Sequence, residues 1–126
     1  MKKAIAAAIL LALLFGAAAW NIAHIDSLTG SLTASADEAL AYCRAEDYDA
    51  AEDALREAIE RWYGAENYTH IMIRHAEVDS ATDAFYGALE PILTHDADAA
   101  ESAIECLKAH LQSIGSMEHV SFRSVF

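Results

Sequence analysis

Residues 69–93 read THIMIRHAEVDSATDAFYGALEPIL, the longest run in the chain with an unbroken helical period. Ile71, His75, Val78, Thr82, Phe85, Leu89 and Ile92 recur at alternating spacings of four and three, which places them on one stripe of a helix. Two of these, His75 and Thr82, are polar. Burying either without a partner would cost roughly 1–3 kcal/mol, so both are expected as internally hydrogen-bonded core groups, with a ligand-facing His75 as the alternative. The stripe needs other apolar faces to cover it, and the rest of the chain supplies them in helical form.

Working outward from that helix, Asp49-Ala50-Ala51-Glu52 has a carboxylate followed three residues later by Glu, a pattern that satisfies the orphan amides of a helix start. The face that follows, Ala51, Leu55, Ala58, Ile59 and Trp62, is apolar, and Glu57 with Arg61 forms an i,i+4 ion pair on the other side. Gly64 to Asn67 interrupts this helix, with Asn67 as the cap of the next. Pro91 weakens or kinks the last turn of the central helix. Asp98-Ala99-Ala100-Glu101 then repeats the earlier cap 49 residues on, and Ala100, Ala103, Ile104, Leu107, Leu111 and Ile114 make another apolar face ending near Gly115. His119 to Phe126 alternates apolar residues and is expected as an extended tail docked on the bundle. Two hairpins of this kind resemble tetratricopeptide stacking, but the spacing is too long and that repeat's glycine and tyrosine pattern is missing. An antiparallel bundle of about four helices is the expected fold.

Composition supports the all-α class. The chain has 126 residues, 55% of them apolar, with one proline and five glycines, enough for one compact core. Alanine is abundant and has the highest helix propensity. Only Lys2 and Lys3 precede the apolar leader, so six Lys and Arg face all twenty Asp and Glu in the remainder. A field of that sign repels phosphate backbones, which argues against nucleic acid as a partner, and it favours cations or basic protein surfaces.

The leader AIAAAILLALLFGAAAW runs from Ala4 to Trp20 without a charge, and apart from Asn21 it stays apolar through Ala23. At 1.5 Å per residue such a run just spans a hydrocarbon core of about 30 Å, and Trp20 stands where an interfacial aromatic would. The lysines ahead of it keep the N-terminus in the cytoplasm. Ala17, Ala18 and Ala19 also offer a signal cleavage site just before Trp20. Residues 1–23 are therefore read as a single-pass membrane anchor, or as a signal segment removed from a secreted protein. Residues 24–34 follow as a helical stalk loosened at Gly30, and residues 35–126 as an extracytoplasmic helical bundle.

Candidate chemistry is sparse. His75 and Asp79 lie one turn apart and can touch, whereas Glu77 points some 200° away and is better placed to pair with Arg74. Two ligands do not make a zinc site, and His70, His95, His110 and His119 could join only through the tertiary fold. The acidic turn Glu46, Asp47, Asp49, Glu52 and Asp53 lacks the spacing of a calcium loop. No glycine-rich phosphate loop and no nucleophile-elbow motif is present. The expectation is a non-enzyme without cofactor or metal. Cys43 and Cys106 form a disulfide candidate if the domain lies outside the cytoplasm.

Trp62, the His75-x-Glu77-x-Asp79 run thirteen residues on, a D-x-x-A segment in the last helix, the short membrane segment and the apolar tail occur in an order and total length that resemble the DUF4363 family of uncharacterised bacterial proteins, typical of Firmicutes. Where that family commonly ends in Asn and two apolar residues, this chain has Ser124 before Val125 and Phe126. The resemblance implies no known activity and an association with small membrane proteins of another uncharacterised family. The function expected from all this is a membrane-anchored, extracytoplasmic module that binds another membrane or exported protein. The alternative is a small-ligand or cation sensor using the His75 and Asp79 face or the acidic turn.

Overall fold

Among the residues it describes, the computed structural model holds four helices, α1 (Lys2–Arg44), α2 (Tyr48–Gly64), α3 (His75–Leu93) and α4 (Ala97–Val125). It describes the chain apart from residues 66–68, 70–72, 74 and 126, and of residues 117–125 it describes the backbone alone. Asn67, His70, Ile71 and Arg74 therefore fall outside the described residues, as does the His119 side chain. Among the described residues helix is the only regular structure, and the all-α bundle expected from the periodicity is what the chain forms. Each helix packs on two others, α1 on α2 and α4, and α3 on α2 and α4. The turns Ala45–Asp47 and Thr94–Asp96 are too short for anything but antiparallel neighbours.

The core is built from Leu and Ile knobs set among alanines. Ile25, Leu32, Leu55, Ile104, Leu107 and Leu111 are fully buried, and each contributes roughly 1.5–3 kcal/mol through the surface removed from water. Ala36, Ala39, Ala51, Ala58, Ala81, Ala88 and Ala100 are equally inaccessible. Alanine thus serves close helix approach as well as helix propensity, which composition alone does not separate. Of the central stripe, Val78, Phe85, Leu89 and Ile92 are buried and Thr82 is half-buried. Thr82 is the internally bonded core polar group that its position demands, donating to the Val78 carbonyl at 2.9 Å.

Two turns at one end of the bundle repeat the same chemistry. Asp47 N–H reaches back to the Tyr42 carbonyl at 2.9 Å and Glu46 N–H to Cys43 at 3.1 Å; Asp96 N–H reaches Pro91 at 2.9 Å and His95 N–H reaches Ile92 at 3.2 Å. Both are Schellman endings, with Glu46 (φ 61°) and His95 (φ 57°) in the left-handed position. The helix starts that follow are capped by Asp47, accepting from Ala50 N–H at 3.3 Å, and Asp96, accepting from Ala99 N–H at 3.1 Å. The 49-residue repeat is real, but each cap lies two residues before the Asp49 and Asp98 that the Asp-x-x-Glu pattern indicates. The Schellman closures leave the chain ready to start a new helix at once. Because a Cβ is disfavoured at positive φ, Glu46→Gly is expected to raise the unfolding free energy by about 0.5–1 kcal/mol. His95→Gly should gain less, since the His95 ring stacks on Tyr48 at 4.4 Å and 4°. Urea midpoints of the two variants measured side by side check both statements.

Several expectations about α1 and α4 are corrected. The segment expected as a stalk is part of the bundle: α1 runs unbroken through Gly30, and Ile25, Thr29 and Leu32 are buried. Thr29 remains inside because its hydroxyl donates to the Ile25 carbonyl at 3.0 Å. The tail is not extended. The backbone of α4 stays helical to Val125, since nothing after Gly115 terminates it. Gly115 lies inside the helix and faces α1: a Cβ there would lie 3.4 Å from Asp26 Oδ1 and 3.5 Å from Thr29 Oγ1, ordinary contact distances. Pro91 likewise stays inside α3, which continues to Leu93.

Candidate functional site

The residues singled out by the sequence do not converge on one place. His75 is the first residue of α3 and is exposed, as is Asp79, while Glu77 is half-buried. The expectation of a core His75 is therefore corrected. The stripe keeps its direction along α3, but its first position, His75, is exposed. Because its side chain is exposed, His75→Ala should cost no more than about 1 kcal/mol, well below the roughly 2–5 kcal/mol of a core truncation. Thermal unfolding of the variant beside wild type measures this, and a loss above about 1 kcal/mol would return His75 to the core. Among the described residues, no group of three or more His, Cys, Asp or Glu side chains is placed to hold a metal ion.

Trp62, by contrast, is buried to 2% and is the centre of the α2–α3 contact. Its indole N–H donates to Thr82 Oγ1 at 2.9 Å and its ring lies 5.9 Å from Phe85. Thr82 thus accepts from one helix and donates within its own, a satisfied polar relay across the seam. Just outside it, the hydroxyls of Tyr63 and Tyr86 meet at 3.0 Å on the exposed surface.

The Glu57–Arg61 ion pair is not formed. Arg61 turns to α1, where its two terminal nitrogens donate to the Ser31 and Ser35 hydroxyls, and its Nε is buried without a hydrogen-bond partner. The helical i,i+4 pair on α2 is Glu52 with Arg56, at 2.8 Å. A guanidinium laid against two serines closes the α1–α2 groove with donors that a carboxylate on the open face could not draw away. Only the positions of Ser31 and Ser35 on the neighbouring helix decide this, so a reading along α2 misses it.

The cysteines are free. Cys43 is buried near the end of α1, and Cys106 is exposed on α4. Burial pushes the Cys43 thiol up from its ordinary value, which disfavours the reactive thiolate. Cys106 instead lines an open groove of about 500 Å³ between α3 and α4, with Gly87, Pro91, Ala99, Ser102 and Ala103. The disulfide fails because the two positions face different surroundings: buried Ile104 and Leu107 occupy the inner side of α4 and leave Cys106 outside.

Two ion pairs cross the α1–α4 contact at its surface. Arg44 meets Glu101 at 2.6 Å and Lys108 meets Asp37 at 2.6 Å. Hydrogen bonding to Asp37 holds the Lys108 ammonium above its usual range, and hydrogen bonding to Glu101 does the same for Arg44. Exposed pairs of this kind add little stability, but they fix which residues of α1 stand opposite which residues of α4.

The remaining prominent surface is α1 before the bundle begins. Every residue from Met1 to Ala17 is exposed, and by length and composition α1 contains the one helix among the described residues that is apolar enough to cross a membrane. Comparison with known proteins gives a family match: the model described as "Domain of unknown function (DUF4363)" covers residues 19–125. No curated protein and no solved structure matches the chain.

Proposed function

We propose that this chain, which belongs to the DUF4363 family, is a membrane-held helical module whose bundle lies outside the cytoplasm and binds another membrane or exported protein. The observation that carries this reading is the contrast within α1. Up to Ala17 the helix is apolar and wholly exposed, and from Ile25 the same helix is core. Leaving Ile5, Ile9, Leu10, Leu13 and Leu14 in water would cost far more than a small domain can spare, whereas a bilayer covers them at no cost. Lys2 and Lys3 ahead of the span support a cytoplasmic N-terminus. The acidic surface beyond it fits a partner with a basic face.

Fractionation of cells expressing the full chain tests the reading. The expected result is recovery in the membrane fraction at the intact mass, with the bundle removed by protease added outside. A soluble product, or a secreted chain beginning at Trp20, would overturn the anchor. Chemical crosslinking on intact cells followed by mass spectrometry should give a discrete adduct with a membrane or exported protein, and recovery of the uncrosslinked chain alone would remove the binding role.

A further inference from the structure

We infer that the end of the bundle nearest the anchor rests on the lipid headgroups, so that the bilayer surface is itself a partner of the domain and the opposite, acidic end is held away from it. The inference rests on the anchored reading above.

The contact register between α1 and α4 sets the height of the bundle. Arg44 stands opposite Glu101, Asp37 opposite Lys108, and Thr29 beside Gly115, so a step down α1 is matched by about one step along α4. Ten further residues of α4 backbone follow Gly115 to Val125. At 1.5 Å per residue they descend about 15 Å and bring the end of α4 level with roughly residue 19 of α1. That is where the wholly exposed apolar run gives way to the bundle, and where the family match begins. No free length of chain separates the two. Trp20, 61% exposed and stacked on His24 with ring centres 5.1 Å apart, stands at this boundary with an apolar face and a polar handle, as interfacial aromatics do.

Charge runs the same way along the bundle. The half away from the anchor, residues 33–55 and 84–108, holds twelve of the twenty Asp and Glu against Arg44 and Lys108. Among the described side chains of the half near it, residues 20–32, 56–65, 75–83 and 109–116, six Asp and Glu stand against Arg56 and Arg61, together with His24, His75 and His110. Upright, most of the acidic charge stands more than two Debye lengths, each about 8 Å, above an anionic surface. Lying flat would bring all of it into that field. Helix continuity and charge therefore favour the same orientation.

The test uses the full chain in vesicles of phosphatidylcholine and phosphatidylglycerol that carry an energy-transfer acceptor on a fraction of the headgroups. Cys106→Ser removes the exposed thiol, and a donor dye is placed on Ser116→Cys near the anchor or on Ala99→Cys at the far end, both exposed positions; buried Cys43 stays. The expected result is transfer several-fold higher from position 116 than from position 99. Inserting six Gly and Ser residues between Ala19 and Trp20 should abolish that difference. Equal, low transfer from both positions would overturn the docking by showing a domain held off the membrane, and equal, high transfer would overturn it by showing a domain lying flat. Failure of the chain to float with the vesicles would overturn the anchored reading itself, and the docking with it.

Discussion

Replacing Trp62 with alanine is expected to lower the unfolding free energy by about 3–5 kcal/mol, the usual cost of truncating a buried aromatic. The side chain is 2% exposed, it bonds across to Thr82 at 2.9 Å, and it packs on Phe85. It also anchors α2 to α3, where its bond to Thr82 and its packing on Phe85 join the two helices. A domain of about 100 residues has a total stability near the low end of 5–15 kcal/mol, so the variant should melt some 15–30 °C lower. Two milder exchanges dissect the effect. Trp62→Phe keeps ring volume and loses the indole donor. Thr82→Val keeps shape and leaves that donor buried without an acceptor, at a cost of about 1–3 kcal/mol. If the hydrogen bond is the link, the double variant should cost less than the two single losses together. Urea unfolding of the detergent-solubilised chain, followed by far-UV circular dichroism, gives the numbers, and a loss below about 1 kcal/mol for Trp62→Ala would falsify its role as the anchor of this seam.

What the sequence made legible was set by local periodicity, and what it hid was set by neighbours. Val78, Phe85, Leu89 and Ile92 were readable because a 3.6-residue period specifies a face. His75 continues the same period, yet a period does not say which of its positions are covered, and His75 is exposed. Arg61 has an acid four residues earlier and two serines on another helix, and only the fold shows that the serines win. Gly115 looks like a stop because glycine is common just past helix ends. It lies instead within α4, facing Asp26 and Thr29 of α1, a setting that only the pairing of the two helices reveals. The caps at Asp47 and Asp96 were displaced from their expected positions because the left-handed residues before them are Glu46 and His95, so no glycine marked the turns. The candidate site was legible in the same partial way: Trp62 could be placed on an apolar face, but its hydrogen-bond partner could not be named without the α2–α3 crossing. Membership of the family was legible from the order of weak motifs and the total length, which can be read along the chain without any tertiary contact.

The second large effect concerns the anchor, and it should be separable from folding. Leu11 and Leu14 lie near the middle of the apolar run, both more than half exposed, and they touch nothing in the bundle core. An arginine near the centre of a spanning helix costs about 2.5–3.5 kcal/mol on the insertion scale, while each leucine lost forfeits roughly 0.3–0.6. The double variant Leu11→Arg with Leu14→Arg therefore removes on the order of 6–8 kcal/mol of insertion free energy, enough to reverse a partition that favoured the membrane by several powers of ten. Its bundle should nevertheless unfold at the wild-type urea midpoint, because Ile25, Leu32 and Leu111 remain buried as before. The paired measurement is flotation with vesicles beside urea unfolding of the same preparation, with Leu11→Ala and Leu14→Ala as the control that removes bulk and adds no charge. Loss of flotation with an unchanged midpoint is the expected outcome. Retained flotation of the arginine variant would mean that the bundle, and not residues 2–20, carries the affinity for lipid, and a lowered midpoint would mean that the exposed part of α1 contributes to the fold after all.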